Sequence, residues 1–290
     1  MPRYKYRRPQ RRFPLWPLLV LLALGVLIGY PLVECTLLEV DEQSVSVSNL
    51  PASLKNLRIV FLSDLHCGGQ IQGSTAEKAL DKLDDLSADI ILFGGDYGST
   101  TEDAIAFFEN LPILRARVGA FAVLGDCEYT NPDRVSELIG VIGGRGITPL
   151  VNNVSKVKVG QSYLYIAGAD DYNGSVPRVA ELASQVSESS LVIFLSHSPQ
   201  VMEDVFAARS SEGSAHWFDL ALFGHTHGGQ INLWGFTPFS ALRNIPQRYL
   251  SGWVEENRAS MLFSNGVGTE WLPARFRARP QIHVITLKSR

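Results

Sequence analysis

An α/β sandwich with strands buried on both faces is the fold class that this sequence predicts. Two observations predict it. Short apolar runs alternate with stretches of helical periodicity, and five of the runs stop at an Asp or a His. A strand covered on both faces reads as a continuous apolar run, and strands alternating with helices make layered α/β folds.

The elements follow in order. Val45 and Val47 alternate with serines, which suits a short strand. Residues 58–63 (RIVFLS) are the first full run and end at Asp64. Residues 74–86 read as a helix, with Ala76, Ala79, Leu80 and Leu83 on one face. Residues 89–93 (DIILF) run into Gly94-Gly95-Asp96, and a second helix is expected at 101–111. Residues 119–124 (GAFAVL) run into Gly125-Asp126. Asn131-Pro132 opens a third helix as cap and first position, and Gly143-Gly144 closes it. The later part is richer in strands, at 163–168, 191–195, 220–223, 261–264 and 282–287. Helices near 177–187 and 199–209 fit between them.

The amino terminus has a different character. The chain has 290 residues and a net charge of −3, a balance that implies no nucleic-acid surface. Residues 1–12 carry Arg3, Lys5, Arg7, Arg8, Arg11 and Arg12 and no acid. Residues 13–33 then contain no charge. At about 1.5 Å per residue such a span crosses a hydrocarbon core of roughly 30 Å. Trp16 and Tyr30 stand near its ends, where amphipathic rings prefer the interface. Glu34, Glu39, Asp41 and Glu42 follow. Positive charge stays inside, so the expectation is a cell-membrane protein of a single pass, its amino terminus inside and its catalytic part extracytoplasmic. A cleaved signal peptide competes with this reading. The run is long for one, and no small-x-small pattern follows it. The expected organisation is a basic tail at 1–12, an anchor at 13–33, a juxtamembrane segment at 34–54 and one domain at 55–290. Cys35, Cys67 and Cys127 do not make a disulfide framework.

What ends each run carries the chemistry. Asp64-Leu65-His66 ends the first, Asp96 the second and Asp126 the third. His197 ends LVIFL, and His225-Thr226-His227 ends LALF. In α/β sheets ligands bind at the carboxyl ends of strands. Carboxylate and imidazole suit Mn, Fe, Zn, Ni or Mg ions, and a carboxylate can bridge two of them. Any one of these residues alone reads as a turn, a cap or a surface group. All of them together, in this order, read as a metal site. His216 and His283 fall outside the pattern and read as structural.

The set Asp64-x-His66, Gly95-Asp96, Gly125-Asp126, His197 and Gly224-His225-Thr226-His227 resembles the calcineurin-like metallophosphoesterase family over residues 55–290. The stretch GHTHGGQI and the anchor resemble a membrane-associated branch that includes UDP-2,3-diacylglucosamine pyrophosphohydrolases. The resemblance implies a four-layer α-β-β-α sandwich. It implies two divalent ions, one on Asp64, His66 and His227, the other on Asp126, His197 and His225, with Asp96 bridging. The implied activity is hydrolysis of a phosphoester or phosphoanhydride by a two-metal-activated hydroxide, on a phosphorylated small molecule or a lipid-linked substrate near the membrane. A UDP-linked lipid is made in the cytoplasm, however, and the charge pattern places the domain outside. The charge pattern is given more weight, because fold-level analogy is weak on substrate.

The third motif departs from the family's Gly-Asn-His-Asp/Glu and reads Gly125-Asp126-Cys127-Glu128. Asp126 still offers oxygen. Cys127 stands where the family has a catalytic histidine, and a thiol is a weak donor that supplies no cation at neutral pH. An alternative class follows from it: a metal-binding sensor or scaffold with little turnover. Cys67 is expected beside the site as a small residue. Arg243 and Arg248 are candidates for phosphate or head-group contact, and Arg275, Arg277 and Arg279 for anionic lipid.

Overall fold

A computed structural model describes residues 15–68, 73–237, 245–256 and 258–290. The basic tail at 1–12, the first residues of the span and Arg243 lie outside the described residues.

The chain opens with α1, Trp16–Glu34, which is apolar and exposed along nearly its whole length and is long enough to cross a membrane. Its last turn is fastened to the rest of the molecule. Glu34 Oε1 accepts from the Ala278 N–H at 2.9 Å, the Arg275 N–H donates to the Pro31 carbonyl at 2.9 Å, and the Thr75 hydroxyl donates to the Cys35 carbonyl at 3.3 Å.

Next come β1 (Glu39–Val47), β2 (Arg58–Leu62), α2 (Gly73–Leu83), β3 (Ile90–Phe93), α3 (Thr101–Asn110), β4 (Gly119–Ala122), α4 (Val135–Gly144) and β5 (Ile147–Pro149). The second half holds β6 (Asn153–Val159), β7 (Ser162–Gly168), α5 (Val179–Ser184), β8 (Leu191–Ser196), α6 (Met202–Ala207), β9 (Leu220–Phe223), β10 (Gly252–Glu256), β11 (Ala259–Phe263) and β12 (Gln281–Ser289). Among the described residues they make two six-stranded sheets, ordered β1-β12-β2-β3-β4-β5 and β10-β11-β9-β8-β7-β6. The strands β2 to β5 run parallel, as do β7, β8, β9 and β11.

Three apolar interfaces separate four layers. Val60, Leu62, Ile91, Phe93 and Ala122 face α2, α3 and α4, through Ala76, Ala79, Phe108 and Leu138. Their neighbours Ile59, Phe61, Ile90, Leu92 and Phe121 point the other way and meet Leu164, Ile193, Leu195 and Leu222 of the second sheet. Val192, Phe194, Ala221 and Phe223 then face α5 and α6, through Leu182, Met202 and Val205. The order is α-β-β-α. Alternate residues of each central strand are buried on opposite faces, which is why the interiors of the runs carry no polar residue. Each fully buried Leu or Phe contributes about 1.5–3 kcal/mol.

Residues 39–47, read from sequence as part of a segment leading into the domain, form a strand of the first sheet instead. β1 pairs in parallel with β12 from Glu39↔Gln281 to Val47↔Ser289. Only Val45 and Val47 of β1 are buried, and the rest of this edge strand keeps its polar side chains toward solvent.

Candidate metal centre

The two sheets meet at one rim. Asp64, Asp96 and Asp126 follow β2, β3 and β4, which lie side by side. His197 follows β8, and His225 and His227 follow β9, its neighbour. All seven side chains expected from sequence converge there. Asp64, His66 and His227 form one group whose ligand atoms lie within 4.8 Å of one another, and Asp126, His197 and His225 form another. Asp96 lies between: its Oδ2 is 3.6 Å from His66 Nε2 and 3.3 Å from His197 Nε2.

The spacing fits metal ligands. His66 Nε2 and His227 Nε2 are 3.0 Å apart, His227 Nε2 and Asp64 Oδ1 3.4 Å, and His197 Nε2 and Asp126 Oδ1 3.1 Å. Ligand atoms about 2.0–2.2 Å from one ion are themselves about 3.0–3.6 Å apart. Asp64 Oδ2 is buried with no hydrogen-bond partner among the described residues. A buried carboxylate oxygen is costly without a donor or a cation.

Backbone conformation delivers the side chains. Asp64 (φ 52°), His66 (φ 47°), Asp96 (φ 55°), His225 (φ 68°) and His227 (φ 50°) all adopt left-handed conformations. Each costs about 1–3 kcal/mol, which the surrounding sheets must hold in place. Close approach needs glycine at two points. A Cβ on Gly224 would stand 2.6 Å from Asp64 Oδ2, and one on Gly125 would collide with Asp96 Oδ1.

The charges hold one another. Burial alone would push the Asp96 carboxyl up, but His197 and His66 outweigh it and keep it below the usual range. Asp126 is lowered in the same way by His197 and His225, against its burial. His197 is raised well above its ordinary value, since Asp96 and Asp126 overcome burial. Its Nδ1–H donates to the Gly94 carbonyl at 2.7 Å, so Nε2 is the nitrogen aimed at the cluster.

Cys127 stands at the edge of the cluster. Its N–H donates to Asp96 Oδ1 at 3.1 Å, and its Sγ is 4.0 Å from His66 Nδ1. Burial, with Asp96, Glu128 and Asp126 around it, pushes the thiol up, so it stays protonated. The Cys67 thiol is pushed up to about 12 by burial and by Glu77 and Asp103, and it joins no ligand group among the described residues.

One residue to which the sequence assigned no role supports the site. Glu128 is fully buried, and its carboxylate accepts from the N–H groups of Asp96 (2.9 Å), Tyr97 (2.8 Å) and Gly125 (2.7 Å). It ties the turn after β3 to the turn after β4. Burial and Asp96 raise its carboxyl from 4.5 to about 8. A raised acid stabilises the fold in its protonated form, so metal-free protein loses this contribution as pH rises from 4.5 through about 8. Glu128→Gln places an NH₂ against backbone donors. It is expected to cost about 1–3 kcal/mol, read as a lower Tm, and to remove that pH slope in EDTA.

Arg275 corrects an expectation. It is not at a lipid surface but fully buried, its guanidinium satisfied by the carbonyls of Asn265, Gly268 and Ala278, with Nη2 3.4 Å from His227 Nδ1. Burial lowers it to about 10, so it remains a cation at neutral pH and offsets the carboxylates, Asp64 foremost. Arg248 is stacked over Tyr249 and lies 3.8 Å from Glu256. His283 bridges Asp41 and Ser264, and His216 faces Asp219, as structural histidines do.

A rim of Asp and His joining two sheets in an α-β-β-α sandwich defines a metal-binding phosphoesterase class. Residues 57–229 match the model of the calcineurin-like phosphoesterase family, and the chain belongs to that family. It is similar to a "Transmembrane protein with metallophosphoesterase domain" of Danio rerio, with 26% identity over 93% of this chain and 62% of that protein. An "Uncharacterized metallophosphoesterase" of Helicobacter pylori is 28% identical over 80% of this chain and 60% of its own length. "Uncharacterized protein YpbG" of Bacillus subtilis is 28% identical over 80% and 81%. The chain thus spans about three fifths of the first two relatives.

Proposed function

We propose that the protein is a binuclear hydrolase of phosphoester or phosphoanhydride bonds whose substrate lies at or near a membrane. The observation that carries the reading is the position of Asp96 between two ligand groups, one of Asp64, His66 and His227, the other of Asp126, His197 and His225. Divalent ions bound there would supply positive charge to the phosphoryl oxygens and lower the pKa of a water nucleophile. The chain's own part is to hold the ligands, through the Gly94 carbonyl behind His197 and the Glu128 carboxylate behind Asp96. Gly125 and Gly224 let their turns pack directly against Asp96 and Asp64.

The apolar α1 and the relative named as a transmembrane protein support a membrane location. The charge pattern of the first 42 residues supports an extracytoplasmic domain. Cys127 favours a second reading, a metal-dependent sensor with little turnover, because a thiol occupies the position from which a cationic acid would act.

The test is a substrate panel. Full chain in detergent with Mn²⁺ is offered bis-p-nitrophenyl phosphate, p-nitrophenyl phosphate and a UDP-linked lipid. Mn²⁺-dependent release from at least one is expected, fastest for aryl leaving groups. Stoichiometric metal without turnover on any of them would favour the sensor.

A further inference from the structure

We propose that two loops beside the metal centre, 231–237 and 269–276, rest in the interfacial zone of the bilayer that α1 spans, so that the centre faces lipid head groups. This rests on the reading of α1 as a membrane span. The loops carry large apolar side chains into solvent: Trp234 is 76% exposed, Phe236 66%, Trp271 71% and Leu272 46%. Large apolar side chains exposed together on adjoining loops mark a contact surface.

The patch is one body. Gln230 Nε2 donates to the carbonyls of Glu270 (2.9 Å) and Leu272 (2.8 Å). The Asn232 N–H donates to the Phe276 carbonyl, and the Phe276 N–H to the Gln230 carbonyl, each at 2.8 Å. It is also joined to the end of the helix. The Tyr30 ring lies 6.1 Å edge-on from Phe276, and Phe276 lies 6.3 Å from Trp234. The Arg275 and Ala278 backbone N–H groups hold Pro31 and Glu34 of the last turn.

Depth follows from these contacts. A span that ends at Glu34 puts Tyr30 at the membrane–water boundary, and rings in contact with Tyr30 share its depth. Apolar faces that lie in the interface enter about 5–10 Å into the boundary between head groups and acyl chains. The charges agree. The Arg277 guanidinium covers the Trp234 ring at 5.3 Å, and Arg279 is exposed beside Tyr30. Rings flanked by arginine are the composition of an interfacial belt. At its inner end the same unit reaches the metal rim, since Gln230 follows His227 closely and Arg275 Nη2 stands 3.4 Å from His227 Nδ1. The fit is to a lipid surface, not to a soluble partner, because the helix crossing that surface is already bonded to the patch.

The experiment uses full chain in vesicles of phosphatidylcholine and phosphatidylglycerol. The fluorescence lost in the double variant Trp234→Phe, Trp271→Phe isolates those two rings, and Trp16→Phe isolates the ring within the span. The signal of Trp234 and Trp271 is expected to be quenched severalfold more by lipid labelled near the head group than by aqueous iodide. Iodide quenching equal to that of a free indole would overturn the proposal. So would shielding from both quenchers, which would assign the patch to a protein partner. Lipid quenching of Trp16 with none of the loops would leave the span standing and remove only this inference. No lipid quenching of Trp16 would remove both.

Discussion

Cys127→His is expected to raise the hydrolysis of an alkyl phosphodiester by about 10²–10⁴-fold, the usual contribution of a general acid. The position is right for one. The Cys127 Sγ stands 4.0 Å from His66 Nδ1 and its N–H is fixed on Asp96 Oδ1, so a longer imidazole there projects from the rim over the cluster. The gain should fall with leaving-group quality: large for an alkoxide, small for p-nitrophenolate, which departs without a proton. It should also fall with pH. An imidazolium acts as acid while protonated, so the advantage is present below its ordinary value near 6.5 and fades above it. The comparison to make is kcat/KM for alkyl and aryl diesters, in both proteins, across pH. A variant no faster than the parent on the alkyl ester would show that another group already serves as the acid.

Asp96→Asn is expected to lower metal-dependent turnover by about 10³-fold or more, because in the proposed binuclear centre several kcal/mol of metal-derived charge stabilisation would depend on both ions being held. Asp96 Oδ2 is the atom that faces both His66 and His197. An amide keeps the shape but presents an NH₂ donor on one side, and it removes the negative charge that the proposed cations would share. The elemental metal content should fall from two per chain to one. Far-UV circular dichroism should be unchanged, since the backbone N–H of Asp96 stays on Glu128. Unchanged turnover at full metal content would remove the bridging role.

The central strands were legible because both faces are covered. The edge strands were less so. β5, β6 and β10 went unread, and β1 was seen only through Val45 and Val47, because a strand buried on one side carries serines, lysines and glutamates like any loop. The Asp and His of the candidate centre were legible because each run stops on one. Glu128 was not: a buried carboxylate bonded only to backbone N–H groups leaves no trace in side-chain spacing. Arg275 misled for a related reason. In the string RFRAR it looks like its neighbours, and only the carbonyls of Asn265 and Ala278 distinguish it. The left-handed turns at the rim were also invisible, because Asp and His enter such turns more often than most side chains but far less often than Gly, so their presence alone does not mark one.

Those turns bear on where the metal comes from. In a small zinc module the ion is part of the fold and its removal unravels the chain. Here the five left-handed Asp and His residues of the rim are set by two sheets and three apolar interfaces. The buried cores lie apart from the rim, so the ions proposed for it would add to a scaffold rather than form one. Which ion the centre carries is then decided by supply in the compartment as much as by the Asp and His that receive it.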